Sequence, residues 1–362
     1  MANAPTTRPH FYPLVVAEVR RETPSAVSIA FAIPDALRPQ YRFKAGQHLT
    51  LRTRLGSQEV RRSYSICAGI DDTELRIAVK RQEGGIFSAW IHDSVKAGDV
   101  MEVLTPTGRF ILEPEPDHPR LHAAFVAGSG ITPVLSIMKT VLAREPASHF
   151  FLFYGSRSTN EILFHEAIED LKDRYINRLS VFYVLSRERQ DLDILNGRLD
   201  RAKATLLLAK ALPGCPVGQA YVCGPFGMIA DAEAALLDSG VRPDQIHIER
   251  FTSALAGRPR PPQPVAAQAP HAIAAIIRDG VRTEVPVAEG EAVLDAALRA
   301  GLDMPYACKG GMCSTCRARV VEGTTDMEVN YALQPWEIEA GFVLTCQARP
   351  KSNFILIDYD WQ

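Results

Sequence analysis

Four of the seven cysteines crowd into the last sixth of the chain, as Cys308, Cys313, Cys316 and Cys346. Their order, C-x4-C-x2-C and then a distant fourth, is the spacing that holds a [2Fe–2S] cluster. Four thiolates have to converge on two irons, and a short loop can supply three while a strand end elsewhere supplies one. Gly310 and Gly311 lie inside that loop. They let the backbone wrap closely and aim N–H groups at the sulfurs, which favours the more negative reduced state. The competing reading is structural zinc. Zinc sites usually present C-x2-C pairs on both sides, and only one such pair exists here. Cys67, Cys215 and Cys223 are scattered and follow no ligand spacing.

The chain has 362 residues, too many for one ordinary domain, so two or three are expected. A formal charge of -2 excludes a globally basic nucleic-acid binder. No apolar run approaches the ~18 residues of a membrane span. The opening MANAPTTRPHFYPL lacks the charged-then-apolar pattern of an export signal. A cytoplasmic location is therefore expected, with reduced thiols rather than disulfides.

The apolar period changes twice along the chain. Residues 8–113 hold short alternating segments (LVVAEVR, AVSIAFAI, QHLTLRT, SYSIC, LRIAVKR, DVMEVLTP) broken by Gly, Pro and Asp. They predict an antiparallel β-barrel or sandwich. Residues 113–120 (EPEPDHPR) read as a connector. Over 118–251 strand-like and helix-like segments alternate, which predicts a doubly wound α/β domain with a parallel sheet. The Pro/Ala-rich stretch 252–270 reads as a linker. Residues 271–362 predict a small α+β domain around the cysteine loop.

Weaker signals carry the rest of the chemistry. Arg62 and Tyr64 lie two residues apart in R-x-Y-S and share one face of a strand. A guanidinium there can neutralise a pyrophosphate, and a phenol ring can stack on an isoalloxazine; an ordinary polar strand reads the same way. Ser65 points its side chain to the other face. Gly84-Gly85-Ile86-Phe87-Ser88 precedes a helix whose N-terminus suits a phosphate. Gly128-Ser129-Gly130-Ile131-Thr132-Pro133 follows a buried strand and opens a helix. It is either a dinucleotide turn without the full glycine fingerprint or a tight strand–helix turn. Cys223-Gly224-Pro225 ends another buried strand at the same sheet edge, as a nicotinamide neighbour or a core thiol.

In this order, R-x-Y-S, G-x-G-x-T-P, C-G-P and C-x4-C-x2-C…C resemble the ferredoxin–NADP reductase superfamily. The resemblance is closest to its members with a C-terminal plant-type ferredoxin domain. YRFKAGQHLTL, RRSYSIC, AGSGITPVLSI, ACKGGMC and MEVNYALQPWEIEAGFVLTCQA are similar to the reductase family of the di-iron phenylacetyl-CoA epoxidases. The resemblance implies an FAD-binding barrel, an NADP-binding domain and a β-grasp ferredoxin domain in that order. Arg62, Tyr64, Ser65 and Ser88 would hold FAD, chosen over FMN because FMN relatives order their motifs differently. Gly128, Gly130, Thr132, Pro133, Cys223, Gly224 and Pro225 would hold the pyridine nucleotide. Tyr64, Ser65 and Cys223, bordering the two rings, are the candidate catalytic residues.

Ser186-Arg187 resembles the Ser-Arg pair used on a 2′-phosphate, and Arg157 ends the neighbouring strand. With no acidic residue standing where an NAD ribose diol would need one, NADPH is the expected co-substrate. The implied activity is an electron path from NADPH through FAD and the cluster to a partner oxygenase, the di-iron epoxidase subunits. A reductase for a Rieske or steroid ring hydroxylase has the same modules. A non-enzymatic electron carrier is disfavoured by Arg62, Tyr64, Gly128 and Thr132, and a flavin oxygen sensor lacks an output element. Glu249 reads as a structural or exposed charge sooner than as a flavin neighbour. Lys309, Arg317 and Arg319 flank the cysteine loop, either as solvated charges or as a docking patch for an acidic partner.

Overall fold

The computed structural model describes residues 9–251 and 271–361. The stretch 252–270, read from its composition as a linker, lies outside the described residues. Two compact units are present, one holding the barrel and the parallel sheet, the other the C-terminal cysteine domain.

The first strands are β1 (Phe11–Thr23), β2 (Ala26–Ala32), β3 (His48–Leu55), β4 (Gln58–Ser65), β5 (Leu75–Lys80) and β6 (Val100–Leu104), with helix α1 (Ile86–Ser94) before β6. They form one sheet in the order β4-β3-β6-β1-β2-β5. An antiparallel bridge between Ile66 and Ile77 brings the two outer strands together and closes the barrel. Alternating inward residues such as Leu14, Val16, Ile29, Leu49, Leu51 and Ile77 fill it, which is the period-two pattern read from the sequence.

Next come β7 (Leu121–Ala127), α2 (Ile131–Arg144), β8 (His149–Ser156), α3 (His165–Arg174), β9 (Leu179–Leu185), α4 (Arg201–Ala211), β10 (Gln219–Cys223), α5 (Phe226–Asp238) and β11 (Ile246–Glu249). The sheet order is β11-β10-β7-β8-β9, and every pairing is parallel. Alternate residues of the same strands serve different cores. Ala124, Val126, Leu152 and Tyr154 pack with α2 and α3, while Phe125, Phe153 and Val222 pack with α4 and α5. The sheet is therefore covered on both faces, as a doubly wound fold requires. Strand order reverses between β7 and β10, and in such sheets the crevice at the carboxyl ends of those two strands is where ligands bind.

Barrel and sheet share one apolar core, in which Ala45, Cys67, Phe110 and Leu112 meet Val134, Ile137 and Met138 of α2. Ser136 Oγ donates to the Ala68 carbonyl at 2.6 Å, Lys139 pairs with Asp72 at 2.7 Å, and Arg144 pairs with Asp71. These contacts fix the barrel against α2.

The C-terminal unit contains β12 (Ala272–Arg278), β13 (Val281–Val287), α6 (Val293–Arg299), β14 (Arg317–Glu322), β15 (Thr325–Met327), α7 (Pro335–Glu339), β16 (Phe342–Leu344), β17 (Ala348–Pro350) and β18 (Phe354–Asp358). Its main sheet, β13-β12-β18-β14-β16, pairs β12 and β18 in parallel and the rest antiparallel. The hairpin β12–β13 turns at Asp279 (φ 54°) and Gly280 (φ 74°), the Asp-Gly pair a two-residue turn with two positive φ angles favours. α6 packs on the sheet, and Cys316 and Cys346 belong to the same buried cluster. Among the described residues, no helix is long and apolar enough to cross a membrane.

Candidate functional site

The crevice between β7 and β10 is built by two turns pressed together. β7 ends at Ala127, Gly128 takes φ +55°, and a single tight turn leads into α2. A Cβ on Gly130 would collide with the carbonyl oxygen of Cys223 and lie 3.0 Å from the Gly224 nitrogen. One on Gly224 would lie 2.7 Å from the Met228 Cε and 3.2 Å from the Ala127 nitrogen. Only glycine lets the two backbones approach this closely. Register puts Cys223 beside Val126 on one side and Glu249 on the other. The first-turn N–H groups of α2 open onto this edge, where helix geometry and dipole suit an anion.

The named side chains of this turn work inward. Thr132 is buried, and its Oγ1 donates to the Ser129 carbonyl at 2.9 Å. Pro133 is buried within the first helical turn, where a missing N–H costs nothing. Tyr154 on β8 donates its hydroxyl to the Gly128 carbonyl at 3.1 Å. Pro225 carries the chain from Gly224 into α5. Burial, and then the neighbouring Glu249, push the Cys223 thiol well above the ordinary range, so it stays protonated. Burial raises the Glu249 carboxyl to about 8, and its Oε2 is enclosed with no hydrogen-bond partner. Glu249 is half-buried beside Cys223, with one carboxylate oxygen enclosed, which fits the structural reading of its sequence context and not the exposed one.

On the barrel, β4 displays Arg62 and Tyr64 on one face and turns Ser65 into the interior. The Tyr64 ring lies 6.1 Å from Phe87, which meets Trp90 edge-on at 5.4 Å. Ser88 is the third residue of α1 and is buried; its Oγ accepts from Gln82 N–H at 3.0 Å and donates to the Gly85 carbonyl at 3.2 Å. Its hydroxyl closes the Gly84–Gly85 turn, and the groups this turn offers an anion are backbone N–H groups at the start of α1. Sequence reasoning missed Lys80. It ends β5, and its Nζ lies 3.8 Å from where a Cβ on Gly128 would stand, so the barrel lends a cation to the nucleotide turn. Its place at a strand end was legible; the turn it reaches was not.

Past the ends of β8 and β9 the backbone ladder continues. Ser186 N–H donates to the Ser156 carbonyl at 3.0 Å and Arg187 N–H to the Arg157 carbonyl at 2.8 Å. The two arginines therefore stand on adjacent loops. Ser186 Oγ also donates to the Ser156 carbonyl, at 3.3 Å. Arg157 makes a loose pair with Glu161 at 3.6 Å. Glu188, the acid next to Arg187, accepts both the N–H and hydroxyl of Thr159 at 2.7 Å. It is thereby committed away from a ribose diol. A cleft of about 930 Å³ lies beside these loops, bounded by Ser158, Thr159 and Glu188 and by Cys67 and Lys139 across from them.

In the C-terminal unit the four cysteines form two pairs. Cys308 neighbours Cys313, and Cys316 neighbours Cys346. The Cys313 contact, with N–H groups of Gly310 and Met312, lowers Cys308 to about 6; Gly310 N–H stands 3.3 Å from its sulfur. Cys346 is lowered by Cys316, the Gln347 amide and the Gly311 N–H. Among the described residues, no three His, Cys, Asp or Glu side chains converge on one ion. Two neighbouring cysteine pairs, with N–H groups near Cys308 and Cys346, fit the [2Fe–2S] spacing read from the sequence. Lys309 (φ 50°) and Gly311 (φ 73°) bend the loop through left-handed backbone, and a Cβ on Gly311 would lie 2.8 Å from the Val329 carbonyl.

The flanking cations are tied within their own unit. Lys309 pairs with Asp295 at 2.8 Å. Arg317 pairs with buried Glu337 at 2.7 Å and covers the Phe342 ring at 3.4 Å. Arg319 lies over Trp361 at 4.4 Å and donates to the Ala340 carbonyl. These contacts argue against reading them as a docking patch.

Three family models match the chain in order. They are the oxidoreductase FAD-binding domain over residues 14–111, the oxidoreductase NAD-binding domain over 125–234, and the 2Fe-2S iron-sulfur cluster binding domain over 276–351. They bear out the expected cofactors: FAD, a reduced pyridine nucleotide and a [2Fe–2S] cluster. One of the subunits of the 1,2-phenylacetyl-CoA epoxidase of Escherichia coli K12 is 42% identical over 351 residues, covering 97% of this chain and 98% of that protein. The ferredoxin reductase component of the 3-ketosteroid-9-alpha-monooxygenase of Mycolicibacterium smegmatis is 35% identical, with the same two coverages. Phthalate dioxygenase reductase, a solved structure, shares the fold at a TM-score of 0.59 and 23% identity, covering 96% of this chain and 98% of its own. The chain is an NAD(P)H-dependent oxidoreductase and belongs to the family of oxygenase reductase components that join FAD-binding, NAD-binding and [2Fe–2S] domains in one polypeptide.

Proposed function

We propose that this reductase takes electrons from NADPH and delivers them singly to the di-iron oxygenase component of a phenylacetyl-CoA epoxidase. The observation that carries the reading is the 42% identity, end to end, with a protein of the Escherichia coli epoxidase. When bound, FAD supplies a hydride acceptor able to store two electrons, and the cluster supplies a one-electron carrier. The chain's own task is positioning, since hydride transfer needs no acid or base. Arg62 would neutralise the flavin pyrophosphate, Tyr64 would border the ring system, and Ser65, turned into the barrel, would support their strand. The α1 N-terminus, with its turn closed by Ser88, takes a flavin phosphate.

Gly128, Gly130, Gly224 and Pro225 shape the cradle for the nicotinamide half of the nucleotide, with Thr132 and Pro133 holding the turn and Lys80 meeting a phosphate. Cys223, a protonated thiol, borders the nicotinamide without taking its proton. Arg157, Ser186 and Arg187 receive the 2′-phosphate, and the commitment of Glu188 to Thr159 supports NADPH over NADH. Cys308 with Cys313 and Cys316 with Cys346 hold the cluster. We infer a cytoplasmic setting, which the reduced thiols favour.

The test mixes the purified holoprotein with the oxygenase proteins of the epoxidase and follows NADPH oxidation with and without phenylacetyl-CoA. Consumption that depends on the acyl-CoA and is coupled to product is expected. Reduction of an artificial dye without coupled turnover would move the partner to another oxygenase. The second reading, a steroid hydroxylase reductase, rests on the 35% match and predicts coupling to that oxygenase instead.

A further inference from the structure

Behind the cysteine loop, a short chain of hydroxyl groups ties together two segments that carry thiols. Tyr359, in the segment leaving β18, donates its hydroxyl to Thr345 Oγ1 at 2.6 Å. Thr345 Oγ1 donates in turn to the carbonyl of Cys316 at 2.9 Å. The Thr345 N–H reaches the same carbonyl at 3.2 Å. Thr345 is fully buried, and Cys316, Cys346 and Tyr359 are buried around it. The Tyr359 N–H is bonded to the Ile277 carbonyl at 3.0 Å, which anchors the ring on β12.

The placement has a consequence for the ligands. Cys316 closes the cysteine loop just before β14, whereas Cys346 directly follows Thr345 beyond β16. One thiol pair is therefore drawn from two segments far apart in sequence, which meet where the β14–β16 pairing ends at Arg317 and Leu344. Two bonds to the Cys316 carbonyl, both from the residue preceding Cys346, hold the two ligand-bearing segments at one spacing. Threonine suits the position because a β-branched side chain is stiff at χ1 and keeps its hydroxyl aimed.

We propose that Thr345 and Tyr359 are positioning residues that preset the Cys316/Cys346 thiolate pair for one iron of the cluster. They do not touch the cluster; they fix the backbone from which both ligands project. Thr345→Val keeps the shape, removes one bond to the Cys316 carbonyl and strands the Tyr359 hydroxyl. Thr345→Ser keeps the hydroxyl. Tyr359→Phe keeps the ring and removes only the outer link.

The experiment uses the full chain carrying FAD and cluster. It follows bleaching of cluster absorbance in an iron chelator, and the reduced-to-oxidised cluster ratio by electron paramagnetic resonance at the parent's midpoint potential. NADPH-driven dye reduction through the flavin reports that the rest of the molecule is intact. Thr345→Val is expected to bleach about tenfold faster and to change the redox ratio by about threefold, the scale of losing one buried hydrogen bond. Thr345→Ser should restore parental behaviour, and Tyr359→Phe should fall between. Because both hydroxyls act as one unit, Tyr359→Phe should add little in the Thr345→Val background.

Parental bleaching and an unchanged resonance spectrum in Thr345→Val would overturn the assignment, as would failure of serine to rescue. The inference rests on the cluster assignment, and a parent protein lacking the reduced [2Fe–2S] signal would defeat that assignment instead.

Discussion

The flavin–nucleotide unit and the cluster unit each hold redox groups in place, with different materials. In the flavin–nucleotide unit, polar side chains at the turns are turned inward: Thr132 onto Ser129, Ser88 onto Gly85, Tyr154 onto Gly128. What the turns themselves offer a ligand is backbone, shaped at Gly130 and Gly224 by glycines that could carry no side chain. In the cluster unit the proposed ligands are the side chains themselves, and backbone N–H groups such as that of Gly310 stand beside sulfur. A site made of backbone is sensitive to volume, and a site made of thiols is sensitive to chemistry.

The sharpest break in the comparison is Cys308→Ser, which keeps volume and changes chemistry. It is expected to abolish cluster absorbance and all electron delivery to the oxygenase component. NADPH-driven dye reduction should stay within about twofold of the parent, because flavin reduction uses no thiol of the cluster loop. A parallel fall in dye reduction would show that the two sites are coupled. Gly130→Ala makes the opposite change. Its methyl group would meet the Cys223 carbonyl and part the two turns, and displacing a bound reactant by about 1 Å costs roughly 100-fold. kcat/KM for NADPH should fall by about that factor while the cluster's resonance spectrum stays parental. Retention of full activity would mean that the turns can separate without moving the nucleotide.

This difference also explains what could be read from the chain. Cys308, Cys313, Cys316 and Cys346 follow a fixed spacing, which is why the sequence alone could propose them as cluster ligands; the alternating barrel strands and the strand–helix rhythm of the sheet were legible. The glycine turns were legible as turns. That Gly130 meets Cys223 depends on strand order reversing between β7 and β10, which no local pattern encodes. The inward rotation of Ser88 and Thr132 is likewise a matter of side-chain torsion. Lys309, Arg317 and Arg319 looked like surface charge because their partners, Asp295, Glu337 and Trp361, lie elsewhere in the chain. The partial burial of Glu249 follows from its pairing beside Cys223, and β11 gave no sign of it alone.

Glu249 offers a test of the crevice by pH. Burial raises its carboxyl from 4.5 to about 8, so between those values the folded chain holds a proton that the unfolded chain has released. Stability should therefore decline as pH rises through this window, by up to about 1.4 kcal/mol per pH unit, and level off above it. Glu249→Gln removes that slope. Denaturant midpoints of the parent and variant, compared from about pH 5 to pH 9, should diverge steadily in favour of the variant. Parallel curves would mean that Glu249 finds a partner or reaches water.

Arg187 gives a smaller effect and refines the comparison, since here a side chain, and not the glycine-shaped backbone, is expected to read the ligand. Charge-assisted hydrogen bonds are worth about 1.5–3 kcal/mol, so Arg187→Ala should cost roughly 10- to 100-fold in kcat/KM for NADPH. NADH, lacking the 2′-phosphate, should lose almost nothing. Arg157→Ala should cost less, because Glu161 already draws on its charge at 3.6 Å. The Arg187 N–H is bonded to the Arg157 carbonyl, so the two side chains work from one backbone platform and the double variant should fall short of the summed losses. Equal losses for both nucleotides would instead make Arg187 a support for the loop, leaving the backbone cradle as the whole of nucleotide recognition in this unit.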